Sequence, residues 1–399
     1  MLIFVFISTL FLFCLVSGKL GKTVITAPIF FTLAGVLVFP RLDADVFSMN
    51  ARAFLMIAEI GLVLLLFTDA SRTDLGVLRS IRALPARLLS IGMLLTILLG
   101  ALAAKLVFPQ LSIWEIGILA AILAPTDAGL GQVIVNSAFV PMRVREALNV
   151  EAGLNDGLAV PFMLFFIAMA AAGSGEASFA RFIGEQLGLG IVVGAAIGLS
   201  GGWILDIAKR SGWMEDSFLQ TAIVGLPVFC LLVSEHVGAS MFIAAFAAGL
   251  CVQVRFKDAG KHSVEFTEEW GQILNLAVFF LFGMLVSRDL EMFSIAPFVY
   301  AVLSLTVVRM LPVALALAGT GLSRATIAFM GWFGPRGLAS IVLGLVYLEQ
   351  ERHLPGEEIT RVAVMATVLL SIFAHGLTAG PGIRLHARLI SRRTGNHQV

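Results

Sequence analysis

Long apolar runs follow one another along almost the whole chain, and the charged residues are confined largely to the short gaps between them. A hydrocarbon core about 30 Å thick is crossed by about 20 helical residues. Thirteen runs approach or meet that length: residues 2 to 17, 23 to 40, 52 to 70, 84 to 108, 112 to 138, 148 to 173, 180 to 206, 218 to 236, 238 to 254, 267 to 288, 293 to 319, 323 to 348 and 357 to 380. Of the 399 residues 59% are hydrophobic and 13% charged, where a soluble domain carries about 25% charged residues. A water-soluble globule is thereby excluded. The expected fold is an all-α polytopic membrane protein of thirteen transmembrane helices, solvated mainly by lipid.

Basic residues test that count, because cytoplasmic loops carry the Lys/Arg excess. With the C-terminal tail (381–399) inside, thirteen spans place the N-terminus outside and make each odd-to-even gap cytoplasmic. Those gaps and the tail hold Lys19, Lys22, Arg72, Arg79, Arg82, Arg87, Arg143, Arg145, Lys209, Arg210, Arg255, Lys257, Lys261, Arg324, Arg384, Arg388, Arg392 and Arg393, which is 18 of 27. The opposite side holds seven, Arg41, Arg52, Lys105, Arg181, Arg288, Arg352 and Arg361. Miscounting by one in mid-chain would mix the two sets. The division at Glu235, His236 and Gly238 is the narrowest gap. Residues 2 to 17 lack a basic n-region and a small-residue cleavage pattern, so they read as a span rather than a signal peptide. The expected location is a cell membrane, crossed many times, with the N-terminus outside and the C-terminus cytoplasmic.

The net charge of +1 gives no reason to expect a nucleic-acid partner. Cys14, Cys230 and Cys251 have no CxxC spacing and read as small core residues. No cofactor is implied, and no enzyme.

The gaps are too short for a separate soluble domain, so residues 1–399 form one membrane domain. Spans one to six (about 1–173) and eight to thirteen (about 218–380) would be two units of opposite topology around a linking helix (about 180–206), the inverted-repeat plan of many transporters. Span five is interrupted by Ala124-Pro125-Thr126-Asp127-Ala128-Gly129-Leu130-Gly131. Span twelve, its counterpart, is interrupted by Phe333-Gly334-Pro335-Arg336-Gly337. Proline removes a backbone donor and glycine tolerates unwound geometry, so both helices should be broken near their middles. Paired broken helices point to a transporter's binding site.

Ionisable groups deep in a span each cost roughly 2.5 to 3.5 kcal/mol to insert. Asp127 and Asp156 stand out, because the Pro141-Met142 turn lies midway between them and an antiparallel hairpin brings both to one depth. Two acids there make a site for a cation or a proton. The plainer readings are that Asp127 only caps a half-helix and Asp156 is interhelical glue. At about 100° per residue, Glu151 and Asn155 share one face of span six, Asn149, Ala152 and Asp156 a second, and Gly153 and Gly157 form a small-residue stripe. Asn155 can bridge groups freed by the break without adding charge. Glu151 needs a cation. Arg309 and Arg336 are the basic residues well inside spans; Arg336 is the better placed, with a structural role as the alternative, while Arg309, beside the Pro312 kink, reads first as structural. Asp69 closes span three as a solvated helix-end acid or as part of an access funnel. Glu59, Glu235 and Asn275 read as tolerated polar groups, and His375 as a packing residue with pH sensing as the alternative.

These motifs resemble those of bacterial NhaP-type sodium/proton antiporters, of the monovalent cation/proton antiporter superfamily, over essentially the whole chain. The matching residues are Ala124-Pro125-Thr126-Asp127, Asn149-Val150-Glu151 running into Asn155-Asp156, and Gly334-Pro335-Arg336-Gly337. The resemblance implies a thirteen-helix homodimer whose six-helix core moves against a dimerisation domain. It implies Asp156 as the main cation and proton carrier, Thr126 and Asp127 as further ligands of a transported Na⁺, and Glu151 paired with Arg336. Asn155 before the key aspartate is similar to the electroneutral branch. Ala152 stands where a serine ligand is common, and Asp69 where a glutamate is common.

The expected function is electroneutral exchange of Na⁺, with Li⁺ or K⁺ as the other candidates, for H⁺ by alternating access. The alternatives are a K⁺-preferring antiporter and, more remotely, an intramembrane aspartyl protease. Against the protease stands the absence of a Gly-x-Gly-Asp pattern at Asp156.

Overall fold

A computed structural model describes residues 2–21, 23–41, 51–72, 83–172, 188–256, 272–348 and 354–395, and every regular element among them is helical. Lys22, Arg79, Arg82, Arg181, Lys257, Lys261, Arg352 and the ends of several expected spans lie outside the described residues. The chain begins with α1 (Leu2–Leu20), α2 (Ala27–Val38) and α3 (Ala51–Arg72). α4 starts at Ala83–Arg87, widens into a π-helical turn at Leu88–Gly92 and continues as Met93–Val107. α5 is in two halves, Ile113–Ile122 and Ala128–Val135, and α6 is Met142–Ala172. Then come α7 (Leu189–Arg210), α8 (Asp216–Val237), α9 (Met241–Arg255) and α10 (Gln272–Arg288). α11 divides at Thr306 into Ile295–Leu305 and Val307–Ala316. α12 again has two halves, Arg324–Trp332 and Leu338–Leu348, and α13 runs from Glu357 to Gly395.

Among the described residues, seven helices have the length and composition to cross a membrane, and five shorter apolar helices lie between them. The two interruptions fall where proline and glycine placed them. The narrow division between α8 and α9 has its own chemistry: Gly238 adopts φ 71°, and Ser240 caps α9 by accepting from the Ile243 N–H. A left-handed glycine ends one helix and a serine starts the next within three residues.

Two groups of helices emerge from the packing. α4, α5, α6, α11, α12 and α13 pack chiefly on one another, while α2, α3, α7, α8, α9 and α10 form the second group. α3 and α9 of the second group meet α6 of the first, and α3 also meets α12. In lipid, close backbone approach rather than apolar burial holds helices together, and α7 shows the device. Gly194, Gly198 and Gly202, four residues apart, lie on the α9 backbone at Ala244, Ala248 and Val252 with no room for a Cβ. The start of α5 is held differently. Ser112 and Glu115 form a capping box, and the second oxygen of Glu115 accepts the Gly356 N–H at 2.6 Å. This buried acid ties the approach to α13 onto α5.

Replacing Gly198 by valine should force α7 away from α9. A destabilisation of about 1–3 kcal/mol is expected, read as a lowered unfolding temperature in detergent, whereas valine at the open position Gly225 should change it far less.

Candidate functional site

The unwound segments of α5 and α12 meet at Asp127. Its backbone N–H donates to the Pro335 carbonyl at 2.8 Å, which stitches one break to the other. Its carboxylate Oδ1 accepts the Leu130 N–H at 2.7 Å, capping the second half of α5. Oδ2 accepts the Leu338 N–H at the start of the second half of α12. One carboxylate therefore caps two half-helices whose positive dipole ends point at it. The exchange is reciprocal, because Ser340 Oγ of α12 donates to the Ile122 carbonyl that ends the first half of α5, at 2.9 Å.

The Gly-Pro-Arg-Gly run has a use beyond unwinding. Neither Gly334 nor Gly337 has a positive φ, and each makes room for a charged side chain. A Cβ on Gly337 would strike the Asp127 carboxylate, with Cγ 2.6 Å away. A Cβ on Gly334 would strike the Arg309 guanidinium, with Cζ 2.6 Å away.

The ion pair at the site differs from the expected one. Glu151 binds Arg309, not Arg336, through two parallel hydrogen bonds of 2.6 and 2.9 Å. Both residues are buried, at 2% and 4% exposure. Arg336 is wholly buried, but its Nη1 turns back onto the Gly334 carbonyl at 3.0 Å, and its Nε and Nη2 have no partner among the described residues. The physical reason is direction. Arg309 approaches from α11 over a glycine with nothing in its way, while the unwound backbone at 336 curls its own side chain toward the break.

On α6, Asn155 Nδ2 donates to Thr126 Oγ1 at 2.7 Å, linking the helix to the α5 break, and Asn155 Oδ1 accepts nothing among the described residues. Asp156, 4% exposed, has an Oδ1 equally without a partner there. The charges of Asp69 and Asp127 both reach it. The Gly153 and Gly157 stripe faces the second group, against Asp69 of α3 and the Phe246 ring of α9. Asp69 is thus at the boundary between the groups and beside the buried acids. A cavity of about 20 Å³, lined in part by Thr126, Asp127, Asn149, Ala152, Phe333 and Pro335, reaches this crossing. It has space for about one water. Asp127 and Thr126 offer oxygen there, and each Asp127 oxygen retains a lone pair after its capping bond.

His375 is fully engaged. Ser371 Oγ accepts the Arg336 N–H at 2.7 Å and lies 3.1 Å from His375 Nδ1, while His375 Nε2 donates to the Trp332 carbonyl at 2.8 Å. The histidine fastens both ends of the α12 break to α13. Sequence reasoning passed over Ser340 and Ser371. Their signal was a hydroxyl inside an apolar run, which is too common to single out.

Removing one partner of a buried ion pair costs about 3–5 kcal/mol. Arg309→Gln should therefore lower the unfolding temperature more than Arg336→Gln, and a double variant of Glu151 and Arg309 to Gln should recover part of the loss. Thermal unfolding of the three purified variants checks the order.

The family described as "Sodium/hydrogen exchanger, transmembrane" matches residues 4–384. The chain is 23% identical over 376 residues to the K⁺/H⁺ antiporter NhaP2 of Shewanella baltica, a match covering 92% of this chain and 63% of that one. To the K⁺/H⁺ antiporter NhaP of Alkalimonas amylolytica it is 24% identical over 396 residues, covering 96% and 66%. The chain thus spans a little under two thirds of the length of these relatives. The solved structure of the sodium proton antiporter MjNhaP1 from Methanocaldococcus jannaschii at pH 8 superposes with a TM-score of 0.77 at 20% identity, covering 96% of this chain and 97% of that one. That likeness is one of fold.

Proposed function

Because the chain belongs to the sodium/hydrogen exchanger family, we propose that it exchanges a monovalent cation for protons across a bacterial inner membrane, with Asp156 as the carrier. One observation carries the assignment. Asp156 is a buried carboxylate with an oxygen that no described group satisfies, beside two further acids and the paired helix breaks. Asp127 has both oxygens engaged by backbone N–H groups, so it supplies a fixed negative field and its remaining lone pairs. The movable charge belongs to Asp156.

An empty carboxylate at this depth is costly to carry through an apolar boundary. A cation or a proton neutralises it to a similar extent, and the two compete for the same oxygens. Exclusive occupancy then couples the two fluxes. Thr126 and the Asp127 carboxylate add oxygens of the kind a hard cation takes, while Asn155 holds Thr126 in place without a charge, in keeping with one cation for one proton. Thirteen crossings in two inverted repeats, a six-helix group (α4–α6 and α11–α13) moving against the rest, and a homodimer complete the proposal.

The named relatives favour K⁺ and the structural neighbour Na⁺, and one assay decides between them. A protease would need two acids free to face each other, and the capped Asp127 is not free.

In proteoliposomes with a trapped pH dye, adding Na⁺, Li⁺, K⁺ or Rb⁺ in turn should release protons with at least one of them, independently of a clamped voltage. Asp156→Asn should abolish the signal while leaving the protein folded. Exchange surviving in that variant would reject the carrier assignment.

A further inference from the structure

α10 of the second helix group passes to α11 of the first through the short turn Leu290–Met292. Asp289 is fastened to the end of α10, its N–H donating to the Leu285 carbonyl at 3.1 Å, and it is buried, at 4% exposure. Two arginines reach its carboxylate in unlike ways. Arg288, its neighbour on α10, makes two hydrogen bonds, of 2.9 and 3.2 Å. Arg361, near the start of α13 in the other group, brings Nε to 3.3 Å from Oδ2, at an angle that makes no hydrogen bond. Its Nη2 donates to the Met292 thioether at 3.3 Å, and a thioether is a weak acceptor. At the other end of α10, Asn275 Nδ2 lies 3.3 Å from the position a Cβ on Gly129 would take. This helix therefore touches the first group near both of its ends, and the Arg361 end adds opposite charges.

The contrast between the two arginines has a mechanical meaning. A buried carboxylate cannot be left without a cation, and Arg288 meets that need within α10. Arg361, with its side chain 21% exposed, can withdraw into water while Asp289 keeps its bidentate partner. No bare buried charge results. The ties inside the first group are of the other kind. Parting Glu151 from Arg309, or Asp127 from the Leu338 N–H, strands a buried polar group, which is costly.

We infer that Arg361 and Asp289 form a detachable latch between the two helix groups, closed in this arrangement and open in the one the groups reach by moving past each other. The inference rests on the alternating-access reading above, in which contacts between the groups break in every cycle. A contact made in one of two states favours that state by its own strength. A partly exposed pair without an aligned hydrogen bond is weak enough to break at each turnover, yet it fixes how α10 and α13 meet at this end.

The test uses the full chain in proteoliposomes with the trapped pH dye, carrying Asp289→Cys and Arg361→Cys together. A short bifunctional thiosulfonate joins the two thiols, mass spectrometry confirms the link, and a reductant cleaves it. Cation-driven proton release should fall about tenfold or more on linking and return on reduction, while each single-cysteine variant treated alike keeps its activity. Release that stays within about twofold in the linked protein means that the pair never opens, and overturns the inference. Failure of the thiols to link overturns it as well, because the two side chains then do not meet. If Asp289→Cys prevents folding, Met292→Cys replaces it, since that variant leaves Asp289 with Arg288. Arg361→Gln should fold and still exchange; a folded variant without exchange would place Arg361 in the transport machinery and not in a latch. No cation-driven proton release in the unmodified chain, or survival of exchange in Asp156→Asn, sinks the antiport reading itself. Loss of exchange in Asp156→Asn with undiminished exchange in the linked protein sinks the latch alone.

Discussion

Two helices broken in the middle of a bilayer each leave about four backbone donors and four acceptors with no water to satisfy them. The protein answers with side chains exchanged between the breaks. Asp127 of α5 closes the start of its own second half and that of α12, and Ser340 of α12 closes the end of the first half of α5. The Asp127 N–H to Pro335 bond and the hold of Ser371 and His375 on α12 complete the seam. Non-helical backbone at this depth is tolerated only when buried in protein or facing a cavity, and here it does both. The rest of the site depends on that seam, since it sets where Thr126 and the cavity lie.

The charges are arranged around the seam in two unlike layers. Glu151, Arg309 and Arg336 form a buried cationic surplus within the α4–α6 and α11–α13 group, with a single bidentate pair at its centre. Asp69, Asp127 and Asp156 form an acidic layer toward the other group. A bidentate arginine pair gives fixed geometry as well as attraction, which suits an anchor. A carboxylate with an unsatisfied oxygen suits a carrier. The same residue type thus serves opposite ends according to what its oxygens already hold.

How much of this could be read along the chain depends on the range of the interaction. The helix breaks are local: Pro125 and Gly334-Pro335 announce them whatever the surroundings, and so do the Gly238 stop and the Ser240 start between α8 and α9. The two faces of α6 also follow from helix periodicity. The Glu151 partner does not. Two arginines competed for it, and the outcome turned on the curl of an unwound segment and on the space that Gly334 leaves for Arg309. Asn275 was read as a tolerated polar group for a similar reason, as an isolated amide at the start of a helix says nothing about the neighbour it faces.

By itself the sequence determined the solvent, the run of apolar helices, the two breaks and the inventory of buried acids and arginines, because each follows from hydropathy, proline and glycine chemistry or the cost of burying charge within one segment. Only the tertiary structure decided that Asp127 caps two helices, that Glu151 binds Arg309, and that α3 and α10 bring Asp69 and Asn275 to the crossing. Those outcomes depend on the rotation and depth at which separate helices meet, and such close approaches are set by packing between segments rather than by periodicity within one.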